Sequence, residues 1–106
     1  MLLFVLSLAS VPWGGSSALA ETGIPDCQED VGCQTLKDQA AERSRLGDLT
    51  EALRLYLLAY QVRPDPRLLF NTARVLHKQG HPVEAVPYYR RFLDSHVEDN
   101  EQRTKA

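Results

Sequence analysis

The hydrophobic positions of this chain repeat at a fixed offset of 33 positions. Six pairs of identical residues coincide at that offset: Leu36/Leu69, Ala40/Ala73, Gly47/Gly80, Glu51/Glu84, Ala52/Ala85 and Tyr56/Tyr89. A period in the low thirties is typical of stacked repeats, in which one unit buries its apolar face only against the next. The pattern therefore predicts a function based on surface contact rather than on a catalytic site.

Apolar residues spaced by three and four predict four helices, at about 29–46, 49–62, 66–79 and from 82 onward. Gly47 and Gly80 supply the positive φ that ends a helix at low cost. Pro64 ends the second helix, since proline cannot continue it. Asp48 followed by Glu51 has the form of a capping box. No strand pattern follows the N-terminal segment, so an all-α fold is expected.

Alanine occupies the centre of each predicted helix pair, and tyrosine follows one turn later. The alanines are Ala40, Ala52, Ala73 and Ala85, and the tyrosines are Tyr56 and Tyr89. Methyl side chains let two antiparallel helices approach closely, and the tyrosines fill the space that opens beyond. In the first helix, Val31, Leu36 and Ala40 form a narrow apolar stripe. The fourth is expected to bury Val83, Ala85, Val86, Tyr89, Phe92 and Leu93.

The segment 1–20 has the features of a secretory signal. Met1 to Val11 is almost purely apolar, and Ala18-Leu19-Ala20 predicts cleavage between Ala20 and Glu21. No Lys or Arg precedes the apolar run, so the charged start of such a signal is missing. An uncleaved anchor is the alternative, but the run is shorter than the ~20 residues that span a bilayer. We expect export to the periplasm or cell envelope, without a stable membrane span.

Charge is segregated along the chain, whose formal net charge is −2. Residues 21–33 carry four acids and no base, residues 34–78 carry eight bases and five acids, and the remainder carries five acids and four bases. An acidic leader therefore precedes a basic middle. The overall acidity and the lack of a long basic patch disfavour a nucleic-acid partner.

Cys27 and Cys33 are the only cysteines. In an oxidising compartment they predict one small disulfide that joins the leader to the first helix, with two free thiols as the alternative. Closing so short a loop stabilises by roughly 2 kcal/mol on the chain-entropy model. The C-x5-C spacing lacks the C-x-x-C geometry of thiol-exchange enzymes.

Residues for catalysis or metal binding are lacking in this sequence. Ser44 and Ser95 have no evident base or paired partner. His77, His81 and His96 show no metal-ligand spacing. We therefore expect no enzymatic activity, no metal and no other cofactor.

The repeat resembles the tetratricopeptide repeat (TPR). The matching residues of the first unit are Leu36, Ala40, Gly47, Ala52, Tyr56, Ala59 and Pro64, and those of the second are Leu69, Ala73, Gly80, Ala85 and Tyr89, with Phe92 in place of Ala59. The junction from Arg63 to Asn71 also resembles exported bacterial members with two repeats. The resemblance implies antiparallel helix-turn-helix pairs stacked as a short solenoid. Gln39 and Thr72 depart from it, and the period is one short of the family's 34.

On this basis the chain divides into five segments. They are a signal peptide at 1–20, an acidic leader at 21–30, repeats at 31–65 and 66–97, and at 98–106 a polar tail or the start of a capping helix.

The resemblance also implies a concave groove that holds a peptide or partner segment. The expected partner-binding residues are Lys37, Arg67, Asn71, Arg74, His77 and Lys78. A ligand with carboxylates would suit this basic face, and a merely solvated face is the alternative. Ala41 stands where members that clamp chaperone tails carry a second Asn, so such a clamp is not expected. Because stacks usually need about three units, the second hypothesis is self-association, or a piece of a longer stack.

Overall fold

The computed structural model describes residues 23–97, which form four α-helices after one turn of 3₁₀ helix at Cys27–Glu29. The helices are α1 (Val31–Arg45), α2 (Leu49–Val62), α3 (Pro66–Lys78) and α4 (Pro82–Asp94). No strand occurs among these residues, so the predicted all-α fold is confirmed. None of the helices in this stretch is long and apolar enough to cross a bilayer. The predicted signal peptide, its cleavage site at Ala20 and Glu21, and the tail at 98–106 lie outside the described residues.

Glycine ends α1 and α3 in the same way. Gly47 and Gly80 have φ values of 87° and 83°, as their positions in the repeat predicted. In each case the glycine N–H donates to the carbonyl three residues back, at 3.1 and 3.0 Å. The next N–H donates five residues back, at 2.9 Å in both helices. These bonds satisfy the carbonyls that a helix end leaves unpaired and turn the chain into its antiparallel partner.

Aspartate begins the first three helices. A side-chain oxygen of Asp30, Asp48 or Asp65 accepts a hydrogen bond from a backbone N–H in the first turn of α1, α2 or α3, respectively. The predicted capping box at Asp48 is only half formed. The backbone N–H of Asp48 donates to the carbonyl of Arg43 in the glycine turn, so it does not bond to Glu51. The carboxylate of Glu51 pairs with Arg54 instead.

The alanines lie where the helices of a pair meet, as predicted. Four have no exposed surface, and the fifth is 1% exposed: Ala40, Ala52, Ala59 and Ala73, and then Ala85. Helix α1 packs on α2, α3 packs on α4, and α3 also packs on α2. Tyr56 is buried and Tyr89 is half-buried, each against the alanine contact of its pair. The core consists of three clusters of buried residues, which Leu53 and Tyr60 of α2 connect.

Helix α4 is less buried than the sequence predicted. Val83, Val86 and Leu93 are 79%, 43% and 61% exposed, so the prediction that they are buried was wrong. The repeat register supplies the reason. Leu53 and Tyr60 of α2, the repeat counterparts of Val86 and Leu93, pack against the core clusters of the second helix pair. No described helix covers the equivalent face of α4.

The outer face of α1 is polar where the matching face of α3 is apolar. Leu68 and Val75 of α3 belong to the core cluster that contains α2 residues. Thr35 and Glu42, which lie 33 positions earlier, are exposed. Val31, from the apolar stripe of the first helix, is also exposed. The two ends of the stack therefore differ: α1 shows the hydroxyl of Thr35 and the carboxylate of Glu42 beside Val31, whereas α4 shows Val83, Val86 and Leu93.

Replacing Ala85 with leucine is expected to lower the free energy of unfolding by about 1–3 kcal/mol, because a larger side chain has no space between α3 and α4. Urea denaturation followed by circular dichroism measures the change. Ala41→Leu, at an exposed position of α1, is the control and should change stability by less than about 0.5 kcal/mol. Equal stability of wild type and Ala85→Leu would contradict the close helix contact.

Candidate functional site

A groove of about 270 Å³ lies between α1 and α3. Its walls come from three helices: Ala41, Ser44 and Arg45 of α1, Tyr56 of α2, and Asn71, Arg74 and Lys78 of α3. We call it the basic groove, because three of the seven lining residues are cationic and none is acidic. Such a lining suits a ligand that carries carboxylates.

Contacts within the protein hold the cations of the basic groove. The Lys78 ammonium donates to Ser44 Oγ across the groove at 3.3 Å. The Arg74 guanidinium lies 5.9 Å from the centre of the Phe70 ring, a cation–π contact. Arg45 pairs with Glu42, and this hydrogen bond lowers the pKa of the Glu42 carboxyl by favouring its charged form. The groove is thus partly organised without a ligand.

Tyr56 forms the buried floor of the basic groove, with 6% of its surface exposed. Burial raises the pKa of its hydroxyl above the ordinary value of 10.0, and the positive charge of Arg74 opposes that shift. The phenol is therefore protonated at neutral pH. A protonated phenol can donate a hydrogen bond to a carboxylate or a peptide carbonyl.

A smaller cleft of about 120 Å³ adjoins the basic groove at Asn71. We call it the leader cleft, because residues of the acidic leader form one wall. Its lining residues are Asp26, Cys27, Gln28, Lys37, Asp65, Arg67, Leu68 and Asn71. Two acids and two bases face this cleft, so it has no net charge.

Five of the six predicted partner-binding residues line one or both of these two sites. The basic groove contains three of them: Asn71, Arg74 and Lys78. Lys37 and Arg67 line the leader cleft, where Asn71 is shared. His77 is exposed on α3 and lines neither.

Sequence analysis missed three residues of the basic groove: Ser44, Arg45 and Tyr56. Arg45 is the repeat counterpart of Lys78, so the repeat register contained a signal for it. Tyr56 was assigned to packing alone. It both packs against the alanine contact and faces the groove.

A larger cavity, of about 590 Å³, lies on the α1–α2 pair. Five of its lining residues are charged: Asp38, Glu42, Arg43, Glu51 and Arg54. Arg54 pairs with Glu51, and the hydrogen bond from Arg54 lowers the pKa of the Glu51 carboxyl. Because acids and bases alternate here and pair with each other, this cavity offers less to a charged ligand than the basic groove does.

Cys27 and Cys33 form a disulfide, as predicted, and both are buried. The bond joins the 3₁₀ turn of the leader to the first turn of α1. An intramolecular disulfide is compatible with an oxidising, exported location. The described part of the chain contains no cluster of His, Cys, Asp and Glu that could hold a metal ion.

Comparison with known families supports the fold directly. Residues 68–104 match the family model of the tetratricopeptide repeat. This segment, about a third of the chain, is similar to a tetratricopeptide repeat. Helices α1 and α2 lie outside the matched segment but carry the same residue spacing one repeat earlier. Neither the curated proteins nor the solved structures gave a match. The TPR family is generally non-catalytic, and a TPR indicates a protein–protein interaction module.

The shifted pKa of Tyr56 predicts a loss of stability at alkaline pH. Since the pKa is higher in the folded protein than in the unfolded chain, this contribution is present below the unfolded pKa near 10 and disappears as the pH rises through the folded pKa. The melting temperature of wild type should therefore fall more steeply above pH 10 than that of Tyr56→Phe. Parallel curves in circular dichroism melts would contradict this expectation.

Proposed function

We propose that this protein is a non-catalytic scaffold of the bacterial cell envelope that binds an acidic peptide or partner segment in the basic groove. The observation that carries the proposal is the charge of the lining. Arg45, Arg74 and Lys78 line the groove with no acid among the lining residues, and Glu42, which pairs with Arg45, lies outside that lining. Charge of one sign in a concave site attracts ligands of the other sign and orients them.

The geometry suits a short extended segment. Arg74 and Lys78 lie one turn apart on α3, and Arg45 faces them from α1. A guanidinium can bind a carboxylate through two parallel hydrogen bonds, and an ammonium acts as a point charge. Asn71 provides both a donor and an acceptor for the backbone of a bound peptide. The groove therefore combines charge recognition with peptide recognition.

Two observations support an envelope location. Residues 1–20 have an apolar run and a small-residue cleavage site. The buried disulfide is of a kind that persists in oxidising compartments. The proposed mature units are the leader at 21–30 and repeats at 31–65 and 66–97, and the leader turn and the two helix pairs support these boundaries.

Self-association is the second candidate function, and the exposed side of α4 favours it. Val83, Val86 and Leu93 form an apolar stripe with Arg90 between them. Two copies related by a two-fold axis would cover this stripe, α4 against α4. A head-to-tail contact is less favourable, because the outer face of α1 is polar.

Arg74→Glu is expected to weaken binding of a fluorescein-labelled tetraglutamate peptide by about tenfold or more, since it places a carboxylate beside the ligand's own. Fluorescence polarisation at low salt measures the affinity, and raised salt should reduce it. The melting temperature should not fall, because Arg74 is exposed.

The matched control is Arg90→Glu, which makes the same charge change on the exposed outer side of α4. It should retain the wild-type affinity, and a tetralysine peptide should not bind. If wild type fails to bind tetraglutamate, or if Arg74→Glu binds it equally well, the basic groove is not the site.

For self-association, multi-angle light scattering should show a dimer that Leu93→Glu converts to a monomer. Val31→Glu is the control, because Val31 is equally an exposed apolar residue but lies on α1. A wild-type chain that is monomeric at every concentration tested would remove this candidate.

A further inference from the structure

The acidic leader is fastened to the repeat through one buried carboxylate. Asp65, at the start of α3, is 3% exposed. Its Oδ2 accepts a hydrogen bond of 2.7 Å from the backbone N–H of Cys27. This contact joins residues 38 positions apart and fixes the leader turn against the α2–α3 junction.

The other oxygen of the same carboxylate holds Arg67. Asp65 Oδ1 accepts from the backbone N–H and from Nε of Arg67, both at 2.9 Å. Arg67 lines the leader cleft with Lys37. If the Cys27 N–H moves away, Oδ2 becomes a buried acceptor that has lost its partner, which is costly. The Asp65 carboxylate is then expected to rotate toward another donor, and Arg67, which it holds through Oδ1, is expected to move with it.

The disulfide keeps the Cys27 N–H in place. Cys33 is in the first turn of α1, where its own N–H donates to Asp30 at 2.9 Å. Its sulfur lies 3.3 Å from the carbonyl oxygen of Ala59 on α2. The disulfide therefore links Cys27 to Cys33, whose position is held by contacts with both α1 and α2. The closed loop restricts the conformations open to the leader.

We propose that oxidation of Cys27 and Cys33 controls partner binding, because the disulfide-closed leader positions Arg67 and completes the leader cleft as an extension of the basic groove. This inference rests on the proposed function, since it concerns the same ligand. Asp65 acts as a positioning residue for Arg67. A bound partner segment that extends beyond Asn71 contacts Arg67 and Lys37. These two side chains hold fixed positions only while the disulfide keeps the leader in place.

The chemical step is the reduction of a disulfide by a dithiol. One thiolate of the dithiol attacks a cysteine sulfur, the S–S bond breaks, and the second thiolate displaces the first protein sulfur. The products are two cysteine thiols and the oxidised, cyclic dithiol. Two electrons and two protons pass to the protein. Because both cysteines are buried, the leader must open before the attack, so reduction is slow.

Peptide length separates this inference from the proposed function. Asn71 and Lys78 are about 10 Å apart along α3, and Arg67 and Lys78 are about 16 Å apart, at 1.5 Å per residue. A tetraglutamate peptide extends over about 13 Å and fits the basic groove alone, whereas octaglutamate, at about 27 Å, reaches the leader cleft. Only the longer peptide should report the state of the leader.

The experiment compares both peptides on the oxidised full chain and on Cys27→Ala/Cys33→Ala. Octaglutamate affinity should fall about tenfold in the double variant, and tetraglutamate affinity should stay within about twofold. Wild type reduced with dithiothreitol, shown by mass spectrometry to have gained two hydrogens, should behave like the double variant and serves if that variant does not fold.

Equal octaglutamate affinity in both states overturns the inference. So does an equal loss for both peptides, which indicates general loosening. If oxidised wild type binds neither peptide, the proposed function itself fails.

Asp65→Asn tests the positioning role separately. The substitution removes a negative charge beside the cleft, so a purely electrostatic role predicts tighter octaglutamate binding. The positioning role predicts weaker binding, because the amide NH₂ cannot accept the bonds that the carboxylate accepts. Tetraglutamate binding is the internal control and should stay unchanged. An increase in octaglutamate affinity overturns the role assigned to Asp65.

Discussion

Buried alanines let the helices of each pair approach closely. Ala40 and Ala52 do so in the first pair, and Ala73 and Ala85 in the second, with essentially no exposed surface. Short interaxial distances follow from such small contacts. Tyr56 lies one turn after Ala52 on α2 and lines the basic groove. Tyr56 therefore takes part both in the packing of the core and in the lining of the basic groove.

The leader and the repeats have opposite charge character, and the structure joins them without neutralising the basic groove. Asp65 is the connecting residue: it begins α3, accepts from Cys27 and pairs with Arg67. Acidic groups therefore gather at the leader cleft, while Arg74 and Lys78 lie farther along α3 without acidic neighbours in the groove lining. The surface consequently has a neutral end and a positive end.

Local chemistry was predictable from the sequence, and contact between distant segments was less so. Gly47 indicated the helix end correctly, because a positive φ is a property of one residue. Burial of Leu93 was predicted wrongly, since residue type does not tell whether another helix lies over it. Periodicity placed Arg74 and Lys78 on one face of α3. It could not predict that Ser44 of α1 accepts a hydrogen bond from Lys78, because that contact depends on the distance between α1 and α3. The contact of Asp65 with Cys27 joins positions 38 apart and left no periodic signal.

The unlike ends of the stack have a consequence for protein engineering. Leu53 and Tyr60 of α2 pack against the second helix pair. Their counterparts on α4, Val86 and Leu93, are exposed, so a third helix pair added after α4 would contact apolar surface at the same repeat positions. A designer who wished to lengthen the array could graft a copy of the second unit behind α4 with little redesign. Grafting ahead of α1 would first require replacing Thr35 and its polar neighbours with aliphatic residues. Repeats can therefore be added more easily after α4 than before α1.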